Sequence, residues 1–229
     1  MTLTFCREVS AADWIVQSDL PWGQLVSFGP AGFDSYARLR FLPDPVRPGQ
    51  SENDADHDGR PDQLPTLVEV LATHTAAPGD CYFCVWVGFG DARRSSDALA
   101  SYVDPGGADA FLGQTGAQPG YAPLPMGWPS PPQPPNVVVP NRAFWLFHGP
   151  LTDIGSWDTA QDWPSDDYRL HGAEPAFIWP ADHAWCVAHD VDPHWAGIGG
   201  TVPLIARLMA DPRLDVVPAD PTEDQPFYG

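Results

Sequence analysis

Residues 174–200 bring together three of the chain's seven histidines, three tryptophans, three aspartates and a cysteine. Side chains of these types hold metals, move protons or anchor partners. Alternation sorts them. On a strand over 184–192, Trp185, Val187, His189 and Val191 share one face, and Cys186, Ala188, Asp190 and Asp192 share the other. His189 then reads as a core histidine. Asp182 and His183 fall in a turn at one end, and Asp190, Asp192 and His194 lie at the other, roughly 25 Å away on a straight strand. Two carboxylates and an imidazole suit a divalent transition metal. Such a centre at Asp190, Asp192 and His194 would serve a metal-dependent hydrolase, with further acids from 153–167. The plainer alternative is an Asp-Pro turn whose aspartates cap a glycine-rich loop at 196–200.

A second constellation, Asp54, Asp56, Asp58, Gly59 and Asp62, fits the first, third, fifth, sixth and ninth places of a calcium loop. The closing bidentate carboxylate is replaced by Pro65, and Pro61 interrupts the loop. A solvated acidic loop capping the next helix competes with calcium. Cys81 and Cys84 have redox or zinc spacing, but they open an apolar strand, where residues three apart point to opposite faces. Cys6 and Cys186 stand apart from them, so no second zinc pair exists and inert thiols are expected. No nucleophile elbow, zinc-protease helix, phosphate loop or dinucleotide fingerprint occurs. The expectation is no resident cofactor, with calcium or a transition metal as the candidates left open.

Composition narrows the field. The chain has eleven arginines, no lysine and 30 acids, of which 25 are aspartate, giving a formal charge of −19. Schiff-base chemistry and a phosphate-loop lysine are excluded outright. The charge disfavours nucleic acid and anionic membrane surfaces and favours a basic protein partner. The N-terminal residues lack a basic start followed by an apolar run, and no window approaches a membrane span. A cytoplasmic protein with reduced cysteines is expected.

The 229 residues suit a single domain. With 28 prolines and 21 glycines, the chain should be rich in strands and turns. A short helix is expected at 10–18, strands at 24–28 and 35–42, and an amphipathic helix at 62–75. In the second of those strands Ala37, Leu39 and Phe41 alternate with Tyr36, Arg38 and Arg40, implying one buried and one solvated face. Segments 81–89 and 142–148 are apolar at both parities and read as central strands. Between them, 104–140 holds ten prolines and six glycines and reads as an exposed insertion. A hairpin at 176–191, a helix at 201–210 capped by Thr201 and a short last strand at 214–217 complete the chain. The fold class expected is α+β, a mainly antiparallel sheet of about five to seven strands with about three helices, mostly on one face.

The phrases Pro-Gly-Gln-Ser-Glu-Asn-Asp (48–54), Asp-Cys-Tyr-Phe-Cys-Val-Trp-Val-Gly-Phe-Gly (80–90) and Phe-Ile-Trp-Pro-Ala-Asp-His (177–183), continuing to Gly200, resemble a family of uncharacterised actinobacterial proteins. The resemblance implies a high-GC source. It brings no fold, ligand or activity with it.

The function expected is therefore a non-enzymatic acidic cytoplasmic protein-binding module, an immunity-type inhibitor of a basic toxin being one concrete form. Trp157, Trp163 and Trp195, in turn-rich segments, are the expected anchors for the partner. A metal-dependent hydrolase and a carbohydrate-binding protein using tryptophan platforms are the alternatives.

Overall fold

The computed structural model describes residues 2–55, 62–87, 91–92, 135–163, 168–170, 172–190 and 193–229. Its strands are β1 (Thr4–Phe5), β2 (Ser35–Arg40), β3 (Cys81–Trp86), β4 (Asp91–Ala92), β5 (Val137–Val139), β6 (Arg142–Gly149), β7 (Tyr168–Arg169), β8 (Pro175–Pro180), β9 (Trp185–Ala188), β10 (Trp195–Gly200) and β11 (Val216–Pro218). The helices are α1 (Asp13–Val16), α2 (Trp22–Phe28), α3 (Leu64–Ala72) and α4 (Val202–Ala210). Nine strands form one sheet in the order β1-β6-β3-β8-β9-β10-β2-β11, with β5 beside β1 along β6, and β4 pairs β7 separately. Every strand pairing is antiparallel.

The α+β class is as expected, and the sheet is larger. The helices also divide differently from the expectation. Leu67, Val70 and Leu71 of α3 and Leu204, Ile205 and Leu208 of α4 pack with Phe83, Phe147, Trp185 and Ile198 in one buried cluster. Ile15 of α1 and Leu25 and Val26 of α2 pack with Cys84, Leu146, Phe177 and Cys186 in the other. Among the described residues the sheet is thus covered on both sides, two helices to a side. This explains why β3 and β6 are apolar at both parities: alternate residues enter different clusters, and each large side chain removed from water contributes about 2 kcal/mol.

Two elements depart from the sequence reading. Residues 24–28 belong to helix α2, because Trp22, Leu25 and Val26 recur at helical spacing and bury one stripe. Gly29 ends it at φ 76°, with its N–H on the Leu25 carbonyl at 2.8 Å. Residues 196–200, expected as a loop, belong to the internal strand β10, paired to β9 and β2. Its glycines admit close neighbours: a Cβ on Gly197 would lie 2.0 Å from the Ser27 carbonyl oxygen of α2, and one on Gly199 would lie 2.3 Å from the ring of Phe33 in the loop after α2.

Thr201 caps α4 as expected, its Oγ1 accepting from the Leu204 N–H at 3.4 Å. Residues 104–134 of the proline-rich insertion lie outside the described residues. The end of that segment is edge strand β5. Among the described residues no helix is long and apolar enough to cross a membrane.

Candidate functional site

The expected site residues are placed apart from one another. Trp157 is wholly buried, its indole N–H donating to the Ala173 carbonyl at 2.8 Å, with its ring against Phe83 and Phe147. Trp195, 1% exposed, lies under the Arg38 guanidinium and donates to the Pro226 carbonyl. Trp163 is half-buried among Phe5, Trp145 and Phe147. Trp157 and Trp195 are thus enclosed by the fold, whereas Trp163 keeps part of its ring at the surface.

Asp190 and His194 serve different partners. Asp190 faces Arg142 at 3.3 and 3.5 Å, whereas His194 Nε2 lies 3.1 Å from Asp44 Oδ1. Asp192 lies outside the described residues. Of the calcium-loop candidates, Asp56 and Asp58 also lie outside them, Asp54 pairs with Arg47 at 3.4 Å, and Asp62 accepts from the Leu64 N–H at 3.0 Å. The last contact closes the turn that leads into α3, one residue before its N-cap Gln63. Among the described residues no three His, Cys, Asp or Glu side chains are grouped to hold a metal.

His194 belongs to a network that alternation did not reveal. Asp44 receives both terminal nitrogens of Arg38, one nitrogen of Arg40 and the His194 ring, while Arg40 reaches Asp215 at 2.6 Å. Arg38 is 6% exposed, so the second face of β2, expected to be solvated, is covered. Burial pushes the Asp44 carboxyl up, but the hydrogen bonds from Arg38 and His194 outweigh it and hold its pKa at about 2. Burial lowers the His194 pKa, against the pull of Asp44.

His189 keeps to the α3 and α4 side of the sheet, as alternation implied, but it is half-buried and its Nδ1 lies 3.3 Å from Glu174 Oε2. The hydrogen bond to His189 holds the Glu174 pKa below its ordinary value. Among the described residues three histidine-carboxylate pairs therefore occur, with His148 and Asp80 the third. Among the described residues no serine or cysteine is hydrogen-bonded to any of the three imidazoles.

A concave surface with carboxylates and aromatic rings lies between α2 and the C-terminal segment. It encloses about 410 Å³ and is lined by Trp22, Val26 and Phe28 on the α2 side and by Pro221, Glu223, Asp224 and Phe227 of the C-terminal segment, with exposed Glu223, Asp224 and Phe227 at its rim. The segment is anchored where it crosses the sheet: Ala219 N–H bonds to the Tyr36 carbonyl, Tyr228 Oη to the Pro43 carbonyl and Gly229 N–H to the Gln50 carbonyl. Asp220 turns it, accepting from the N–H and hydroxyl of Thr222. Glu223 and Asp224 are exposed and, among the described residues, take part in no ion pair.

Arg142 packs at the edge of this region against two aromatic rings. Its guanidinium sits 5.4 Å from the Trp22 ring and 5.1 Å from Trp86 while pairing with Asp190. The run Asp220-Pro-Thr-Glu-Asp-Gln-Pro-Phe-Tyr-Gly229, acidic and then aromatic, is the signal in the sequence that would have pointed here. No family model, curated protein or solved structure matches the chain.

Proposed function

We propose that the protein is an acidic binding module that takes a basic segment of a protein partner into the groove between α2 and residues 219–229. The observation that carries this reading is the unpaired rim of Glu223 and Asp224 over Trp22 and Phe227, the last 52% exposed. A carboxylate rim with an aromatic floor is the environment a guanidinium prefers.

The charge distribution supports it. Arg38, Arg40, Arg47, Arg142, Arg207 and Arg213 are each engaged by an Asp or Glu. Cations among the described residues are thus largely spent internally, and a formal charge of −19 leaves carboxylates in excess to steer a cationic partner. An immunity-type inhibitor of a basic toxin is one concrete form of such a module.

The test is a parallel capture with wild-type protein and the double variant Glu223→Gln, Asp224→Asn, followed by affinity measurement on the partner recovered. A partner held by wild type, released by salt and bound about tenfold more weakly by the variant supports the reading. A partner bound equally by both proteins, or the absence of any salt-sensitive partner, overturns it.

A further inference from the structure

On the opposite side of the sheet, between the start of α3 and strands β2, β8, β9 and β10, lies a second open cavity of about 480 Å³. Its walls are Leu39, Leu67, Ile178, Val187 and Ala196, side chains of the buried cluster shared with α3 and α4. The cavity falls within the range of about 300–1,000 Å³ usual for small-molecule sites.

The polar groups gather at the mouth. Glu174 and Asp62 are both exposed there, and Glu174 holds His189, whose ring meets the edge of Phe41 at 5.0 Å between centroids. Gln63 also lines the cavity, but its amide is committed to the fold: Nε2 donates to the Arg40 carbonyl, and Oε1 accepts from the Asp215 N–H. The mouth therefore offers carboxylates and an aromatic ring. An anionic head group placed there meets two like charges, whereas a cationic one meets two acceptors and a π face.

We infer that this cavity binds a small lipophilic amine, with an aromatic or branched aliphatic body against Phe41, Leu64 and Ile154 and its ammonium group at Glu174 and Asp62. The apolar body recovers dispersion contacts that the open space forfeits. The ammonium group remains at the wet edge, where its charge is balanced without full desolvation. The site is separated by the sheet from the groove at α2 and does not depend on it.

Three matched probes of one size, naphthylethylamine, naphthylethanol and naphthylacetate, titrated calorimetrically into the full chain at neutral pH, test the inference. The amine should bind about tenfold tighter than the alcohol, with the acid weakest. Glu174→Gln should remove the advantage of the amine while leaving the alcohol unchanged. Leu64→Trp, at a residue 40% exposed on the cavity wall, should weaken amine and alcohol together without disturbing the core, and Glu223→Gln should change neither. Binding of none of the probes, acid binding as tight as amine, or indifference to Leu64→Trp would each overturn it.

Discussion

Arg38 and Asp44 are joined by two parallel hydrogen bonds, Nη1 to Oδ1 at 2.7 Å and Nη2 to Oδ2 at 3.1 Å, with the arginine side chain 7% exposed. A guanidinium buried to this degree depends on its carboxylate, because an uncompensated charge in the interior is far costlier than the pair. Asp44→Asn should destabilise the protein by about 3–5 kcal/mol, measured by urea unfolding. A loss within the range of an ordinary surface substitution would show that Arg38 is compensated by other means.

The same network predicts acid sensitivity in two stages. The folded pKa of His194 lies below its ordinary value of 6.5, so the unfolded chain takes up that proton first. Its contribution is fully present above pH 6.5 and declines as the pH falls below it. Asp44 is held at about 2 against an ordinary 3.8. Its contribution, about 2 kcal/mol, is present above the ordinary value and is lost as the pH falls through about 2. Urea midpoints should fall gently from neutral pH to about 5 and steeply below about 4, and His194→Gln should flatten the first stage and move the second to higher pH, because the His194 hydrogen bond helps hold Asp44 down.

Strand β10 makes a prediction about space. Gly197→Ala should cost about 3 kcal/mol or more, since its methyl group would overlap the backbone of α2. Gly23→Ala, inside α2 with nothing within 4 Å of the new Cβ, should instead stabilise by about 0.5–1 kcal/mol. Opposite signs in thermal unfolding check both.

Trp157 should act on stability alone. Trp157→Phe removes the donor to the Ala173 carbonyl and opens space beside Phe83 and Phe147, for a loss of about 2 kcal/mol. Affinity for a basic partner should be unchanged. A variant that folds normally but loses the partner would restore this residue to an anchoring role.

The thiols should be slow to react. Burial pushes the Cys81 pKa up to about 12 and that of Cys6 to about 11, and it raises Cys84 and Cys186 as well. Alkylation of native protein at pH 8 should leave all four cysteines largely unmodified, whereas denatured protein should react fully. Rapid native modification of Cys81 or Cys84 would overturn the inert assignment.

What the sequence made legible follows the physics of side chains. Leu64, Leu67, Val68 and Leu71 announce α3 through their spacing, and Thr201 announces α4 through its cap. Strands β3 and β6 declare themselves by being apolar at both parities. Strand β10 is hidden because its glycines were selected for the helix they admit, a relationship between segments 170 residues apart that no local pattern records. The groove at α2 is hidden in the same way: Trp22 and Glu223 become neighbours only when residues 219–229 cross the sheet. The partners of Asp190 and His194 are not legible for the converse reason. Proximity in sequence joined residues that the fold assigns to Arg142 and Asp44.

The margins of the nine-stranded sheet carry a consequence for life at high concentration. Strand β1 has two residues, and β5 and β11 have three each, β11 ending in Pro218, which has no N–H to donate. A second copy approaching any of these strands finds too few free backbone groups to continue the ladder. A chain this rich in buried aromatic strands is thereby shielded from edge-to-edge fibril growth, a hazard its interior would otherwise invite.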